Sequence, residues 1–241
     1  MPRFLASPTT SLRHKLLFMN KYITEFIGTF FLVLTIGCTG VGAPTGVIAP
    51  LAIGSALMVM VYAGGHISGA HYNPAVSLAA FIRGKLNAPD IVPYMIAQVA
   101  GAVVAALVTV KYLRAGAPIT PIAPNVGPAL VAEFLFTFAL VWVVLNAATA
   151  EGTSGNSFYG LAIGMTVLTG AFAVGDISGG AFNPAVAAGI SVMGISSWSN
   201  IWIYLVANFA AGVIGAIAFN AINPPAQTTP IATDEPPYKT P

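Results

Sequence analysis

One block of this chain occurs twice, in the same order and with nearly the same spacing. Glu25-Phe26-x-x-Thr29-Phe30-x-Leu32-Val33 returns as Glu133-Phe134-x-x-Thr137-Phe138-x-Leu140-Val141. Leu51-Ala52-Ile53-Gly54 returns as Leu161-Ala162-Ile163-Gly164. Ile67-Ser68-Gly69 followed by Asn73-Pro74-Ala75-Val76 returns as Ile177-Ser178-Gly179 followed by Asn183-Pro184-Ala185-Val186. Tyr94-x-x-Ala97-Gln98 returns as Tyr204-x-x-Ala207-Asn208. A duplication of this kind means that each half builds the same unit, and the fold must bring the two units together.

The solvent of that fold is lipid. Of 241 residues 56% are hydrophobic and 7% charged, against about 25% charged in a soluble domain. Apolar stretches at about 22–42, 48–65 and 91–112 in the first half, and 128–149, 158–175 and 200–221 in the second, are mostly long enough to cross a hydrocarbon layer as helices of about 20 residues. Each half has an odd number of spans, so the second enters the membrane from the side opposite to the first. The expected fold is an all-α membrane protein of six transmembrane helices with an inverted repeat, its functional site near the midplane where the halves meet. Residues 22–222 are expected to form the channel domain (22–112 first repeat, 113–127 outer connecting loop with Pro118, Pro121 and Pro124, 128–222 second repeat). Residues 1–21 read as an N-terminal tail, and 223–241, rich in Pro and Thr, as a disordered one. The N-terminal stretch has no apolar run before a small-residue cleavage site, so the first span is expected to be retained.

With the N-terminus in the cytoplasm, Arg3, Arg13, Lys15, Lys21, Arg83, Lys85 and Lys239 lie inside, and Lys111 and Arg114 outside. This obeys the positive-inside rule, which the inverted assignment breaks. Both termini are therefore expected in the cytoplasm.

The segment after each repeated Asn is too short to span. Pro74–Arg83 and Pro184–Met193 would each form a helix of about 15 Å at 1.5 Å per residue. Two such half-helices entering from opposite faces would meet at the centre. The Gly-rich stretches His66–Tyr72 and Asp176–Phe182 must supply non-helical backbone at that depth, which is tolerated only within protein or beside an aqueous path. Asn is a favoured N-cap and Pro suits the first helical position. Asn73-Pro74 and Asn183-Pro184 therefore read as helix starts, whose dipoles place partial positive charge at the midplane and repel cations. The Asn amides can donate hydrogen bonds into the pore.

The doubled Asn-Pro-Ala, each preceded by Ile-Ser-Gly, and the stretch Gly65-His66-Ile67-Ser68-Gly69-Ala70-His71-Tyr72-Asn73-Pro74-Ala75-Val76 resemble the major intrinsic protein family, the aquaporins and glycerol facilitators. The resemblance covers about residues 20–222. It implies a homotetramer with one pore per subunit, and a ladder of backbone carbonyls at Gly69, Ala70, His71, Gly179, Gly180 and Ala181. It also implies a four-residue filter on the outer side, which falls by spacing at Ile53, Ala171, Gly180 and Val186. There the chain departs from the pattern. The family usually places Arg after the second Asn-Pro-Ala, and glycerol facilitators usually follow that Arg with Asp; here Val186 and Ala187 stand in those places. Some plant vacuolar members also resemble this, with Val for Arg. Losing the fixed charge and donors predicts a wider, more apolar constriction. It should admit water and also ammonia, urea, hydrogen peroxide or small polyols.

Glu25 and Glu133 are intramembrane carboxylates at matched places, and such residues are functional hypotheses by default. As carriers they would suit an ion-coupled secondary transporter. As acceptors for loop amides, the reading the resemblance supports, they and His66 would brace the re-entrant loops. His66 and His71 could suggest a metal, but no third ligand is nearby, and no metal or other cofactor is expected. Gln98 and Asn208 read as interhelical hydrogen-bonding residues, and Gly54 and Gly164 as points of close helix approach. Cys38 is the single cysteine, so no intramolecular disulfide can form. The net charge of +2 gives no reason to expect nucleic acid. No nucleophile–base arrangement or phosphate loop points to an enzyme. The expectation is a passive channel in the plasma membrane, with the lipid bilayer, water and small neutral solutes as its partners. A coupled transporter or a non-conducting structural membrane protein are the alternatives.

Overall fold

The computed structural model describes residues 8–42, 46 and 48–223, with backbone only over 8–18. Its helices are α1 (Pro8–Gly40), α2 (Ile48–Ser68), α3 (Pro74–Ile82), α4 (Ala88–Val108), α5 (Val126–Thr149), α6 (Tyr159–Ser178), α7 (Pro184–Met193) and α8 (Ile201–Ile222). A π-helical turn, Thr109–Leu113, extends α4, and single 3₁₀ turns lie at Glu151–Thr153 and Trp198–Asn200. Among the described residues six helices are long and apolar enough to cross a membrane: Met19–Gly40, Ile48–Ser68, Ala88–Leu113, Val126–Thr149, Tyr159–Ser178 and Trp198–Ile222. Each follows the apolar stretch expected for it.

Two expectations shift. α1 begins at Pro8, so much of the stretch read as a tail is helical. Pro8 suits a first helical position, and no Gly or Pro interrupts the chain between it and Gly28. α2 and α6 continue to Ser68 and Ser178, so His66 lies on the last turn of a helix and not in the loop. The tail expected over 223–241 lies, from 224 onward, outside the described residues.

The repeat is visible in the packing. α1 packs on α2 and α4, and α5 packs in the same way on α6 and α8. α2 and α6 join the halves along the pseudo-two-fold axis. They cross at Gly54 and Gly164, where a Cβ on Gly54 would lie 2.7 Å from the Gly164 carbonyl oxygen, and one on Gly164 would meet Gly54 reciprocally. Each half-helix packs chiefly on the last span of the other repeat, α3 on α8 and α7 on α4. Large apolar side chains such as Ile27, Phe31, Ile96, Leu135, Val206 and Ile217 stay exposed on the outer surface, as a lipid-facing surface requires.

Alternation of the spans defines two faces. α1 begins at the near face, where Lys21 and Asp90 form an ion pair of 2.6 Å and the Tyr22 hydroxyl donates to Asp90, tying α1 to α4. The segment joining the repeats lies at the far face, pinned by the Ile122 N–H donating to the Ile195 carbonyl at 2.8 Å.

Candidate conduction site

The backbone after α2 must reverse into the membrane within a few residues. It does so through left-handed conformations at Gly69 (φ 85°), Ala70 (51°) and Tyr72 (50°), repeated after α6 at Gly179 (91°), Gly180 (62°) and Phe182 (48°). Positive φ at Tyr72 and Phe182 is costly for bulky residues and persists only where the surroundings enforce it. The enforcing groups are the two glutamates, both fully buried. Glu25 Oε1 accepts from Ser68 Oγ at 2.7 Å and the His71 N–H at 2.9 Å; Oε2 accepts from the Tyr72 N–H at 2.6 Å and Gln98 Nε2 at 2.8 Å. Glu133 Oε1 accepts from Ser178 Oγ at 2.7 Å and the Ala181 N–H at 2.9 Å, and Oε2 from the Phe182 N–H at 2.7 Å. Tyr94 and Tyr204 hydroxyls donate to the Ser68 and Ser178 carbonyls at 2.8 and 2.7 Å.

Asn73 and Asn183 cap α3 and α7. Their Oδ1 atoms accept from the Ala75 and Ala185 N–H groups, each at 2.9 Å. Their amides are tied crosswise: Asn73 Nδ2 donates to the Phe182 carbonyl at 2.9 Å, and Asn183 Nδ2 to the Tyr72 carbonyl at 2.8 Å. An amide nitrogen carries two N–H groups. The expected donation into the pore therefore falls to one N–H per Asn, the other being used to hold the half-helices tip to tip.

Both Asn residues border a narrow cavity of about 30 Å³, room for about two waters at roughly 10–15 Å³ each. Its wall is nearly symmetric about the repeat axis: Leu32 with Leu140, Ile36 with Val144, Ile53 with Ile163, Leu57 with Val167, Val76 with Val186, Ala70 with Gly180, His71 with Ala181. A second, open cavity of about 680 Å³ lies at the near face, bordered by Gly65, His66, Gly69, Lys85, Glu151 and Tyr159 among others. His71, Val144 and Ile163 border both spaces.

Of the expected filter residues, Ile53, Gly180 and Val186 lie in the cavity wall and Ala171 does not. A Cβ on Gly180 would lie 3.6 Å from the Ala171 Cα, so the two are neighbours, and Val167, one turn earlier on α6, borders the cavity instead. Of the expected ladder, Ala70, His71, Gly180 and Ala181 border the narrow cavity, Gly69 opens onto the near-face space, and Gly179 sits beneath the Ile122 side chain. His66 is exposed at the near-face cavity. The groups bracing the first loop are Glu25, Ser68 and Gln98, whereas His66 is exposed on the last turn of α2. The apolar wall escaped the motif reading. Leu32 and Leu140 sit inside the duplicated blocks, on the helix face that carries Glu25 and Glu133, and that shared face is the signal for it. Among the described residues no group of three or more His, Cys, Asp or Glu could hold a metal ion.

The family profile described as Major intrinsic protein matches residues 11–219. Aquaporin NIP1-1 of Oryza sativa subsp. japonica is 38% identical over 216 residues, covering 85% of this chain and 75% of that protein. Glycerol uptake facilitator protein-like 6 of Lactiplantibacillus plantarum is 37% identical over 207 residues, covering 82% and 95%. The aquaglyceroporin structure from Plasmodium falciparum shares the fold with a TM-score of 0.73 at 21% identity, over 85% of this chain and 96% of that one. Family profile, relatives and fold agree, and the chain belongs to the major intrinsic protein family.

Proposed function

We propose that this integral membrane protein is a passive channel, not an enzyme, which passes water and small uncharged solutes and holds ions back at the paired starts of α3 and α7. One observation carries the reading: two Asn-capped helix N-termini meet tip to tip at a cavity of about 30 Å³, with room for about two waters. Each start carries roughly half a positive charge, and positive ends of half-helices facing a pore exclude protons and cations, the general rule for aquaporin-type pores. An ion-coupled transporter would need a mobile charge. Glu25 and Glu133 are fully buried and held by loop donors on both oxygens, which suits scaffolding.

The far-side constriction is assigned to Ile53, Gly180 and Val186, with Ala171 beside Gly180. With no arginine there it admits urea, ammonia, hydrogen peroxide or small polyols besides water. The near face is the cytoplasmic one by the positive-inside rule, the host membrane is the plasma membrane, and the assembly is a homotetramer with a pore in each subunit.

Stopped-flow light scattering on proteoliposomes tests this. Water flux far above that of protein-free vesicles, with measurable urea or ammonia entry, is expected. Val186→Arg adds donors and bulk at the constriction and should cut urea entry about tenfold, the effect of roughly 1.4 kcal/mol on a barrier. Unchanged urea and ammonia flux in that variant would sink the solute assignment, and no water flux in the parent would sink the channel.

A further inference from the structure

The pore wall pairs residue with residue across the repeat axis, so the two sides of the narrow cavity can be compared like for like. The far-side quartet Ile53, Ala171, Gly180 and Val186 maps onto Ile163, Val61, Ala70 and Val76 on the near side. Two of these pairs are identical. In the other two the near-side residue is larger, Val for Ala and Ala for Gly. Val61, Ala70 and Val76 are all buried; Ala70 and Val76 border the narrow cavity and Val61 the wide one. His71 adds an imidazole ring where Ala181 has a methyl group. One pair runs the other way, Ile36 against Val144, by a single methylene. Bulk is thus shifted toward the near side, to the point where His71, Val144 and Ile163 border both the narrow cavity and the wide one.

The tautomer of His71 is assigned from its hydrogen-bond partners. Gln98 Nε2 donates to Ser77 Oγ at 2.9 Å, and Ser77 Oγ lies 3.1 Å from His71 Nδ1. Ser77 accepts from Gln98, and its own proton has His71 Nδ1 as its acceptor. A neutral imidazole that accepts at Nδ1 carries its proton on Nε2. Nε2 has no hydrogen-bond partner among the described residues, and it is not a sealed, unsatisfied atom. It is a donor open to the boundary between the two cavities. His71 is the only one of the three side chains there with a polar group.

We infer that solute selection in this channel is made on the cytoplasmic side, at a neck of His71, Val144 and Ile163 where the His71 Nε2–H donates to the passing solute. The neck does on that side what an arginine after the second Asn-Pro-Ala would do on the other: it narrows the path and offers a donor to oxygen atoms stripped of water. Its substrates are small neutral molecules with an exposed oxygen acceptor, such as water, urea and the smallest polyols. Gln98 and Ser77 act as positioning residues, fixing the ring and its tautomer.

The inference rests on the channel reading, and one set of measurements separates the two. Proteoliposomes of the full chain are assayed for water, urea and glycerol entry, comparing the parent with Ile163→Ala, Val144→Ala, Ile53→Ala and His71→Phe. Ile163→Ala should raise the ratio of glycerol to water permeability about tenfold, a barrier change of roughly 1.4 kcal/mol, and clearly more than Ile53→Ala does. Val144→Ala makes the same comparison should Ile163→Ala fail to fold. His71→Phe keeps a ring and removes the donor, and urea entry should fall about fivefold. An equal or larger rise in Ile53→Ala, or unchanged urea entry in His71→Phe, overturns the neck while leaving the channel intact. No flux in the parent overturns both.

Discussion

The two repeats share a backbone and differ in how well their loops are tied. In the first, Glu25 holds four donors, and Gln98 bridges it to Ser77 and so to His71. In the second, Glu133 holds three. Asn208 is one methylene shorter than Gln98; its Oδ1 accepts from Thr137 Oγ1 at 2.9 Å while its Nδ2 is left without a partner. Ala187 stands where Ser77 stands in the first repeat, and Ala181 where His71 does. The backbone path therefore needs the carboxylate, the serine at the end of the preceding helix and the tyrosine beneath it, which both halves keep. The remaining polar groups are extra, and the first repeat spends them on orienting a ring at the pore.

The largest break in this comparison comes from removing a carboxylate. Glu25→Ala strands the His71 and Tyr72 N–H groups, Ser68 Oγ and Gln98 Nε2 in a buried site. Leaving a buried donor unpaired costs about 1–3 kcal/mol, so the combined loss is comparable with the roughly 5–15 kcal/mol that holds a folded domain together, and little monodisperse protein should be recovered in detergent. Glu133→Ala strands one donor fewer and should be the milder of the pair, with a visible but lowered thermal transition by circular dichroism. Equal recovery of both variants would mean that the fourth donor contributes nothing.

Tyr72 and Phe182 give the next contrast. Both sit at the turn before the Asn with φ near 50°. Tyr72 fills a slot lined by Gly28 and Gly64, and its hydroxyl donates to the Met60 carbonyl at 2.9 Å. Phe182 packs against Gly170 and Phe136, and its ring carries no hydroxyl. Phe182→Tyr forces an added oxygen into a close-packed, fully buried slot and should cost about 1–3 kcal/mol. Tyr72→Phe should cost about 1 kcal/mol for one hydrogen bond, with water flux retained. The test is the order of the two melting temperatures, and Tyr72→Phe falling below Phe182→Tyr would show that the slots have been misread.

Much of this was legible in the sequence because the chain states its unit twice. Spans, half-helices, the Asn caps and the matched glutamates all lie in repeated blocks, and chemistry in lipid leaves few ways to satisfy them. What was not legible depends on neighbours that are distant in sequence. The crosswise Asn ties join residues from different repeats, and no local pattern encodes them. Ala171 holds the filter position by spacing, yet Val167, one turn earlier on α6, is the residue that borders the narrow cavity. His66 looked like a loop residue because glycines surround it, but hydrogen bonding carries α2 on to Ser68.

The smallest expected effect tests whether the second repeat has room for the tie it lacks. Asn208→Gln restores the length of Gln98, and Ala187 leaves space where Ser77 would stand. The longer amide can reach Glu133 Oε2, which accepts the Phe182 N–H at 2.7 Å. The gain is one hydrogen bond to a charged group, about 1.5–3 kcal/mol. It is offset by the added methylene, which costs about 1–3 kcal/mol where packing is already complete, and by the lost partner of Thr137. A rise of a few degrees in melting temperature would mean that the site holds a void and that the second loop is under-tied. A fall would mean that the site is filled, and that the difference between the repeats lies in packing and not in a missing donor.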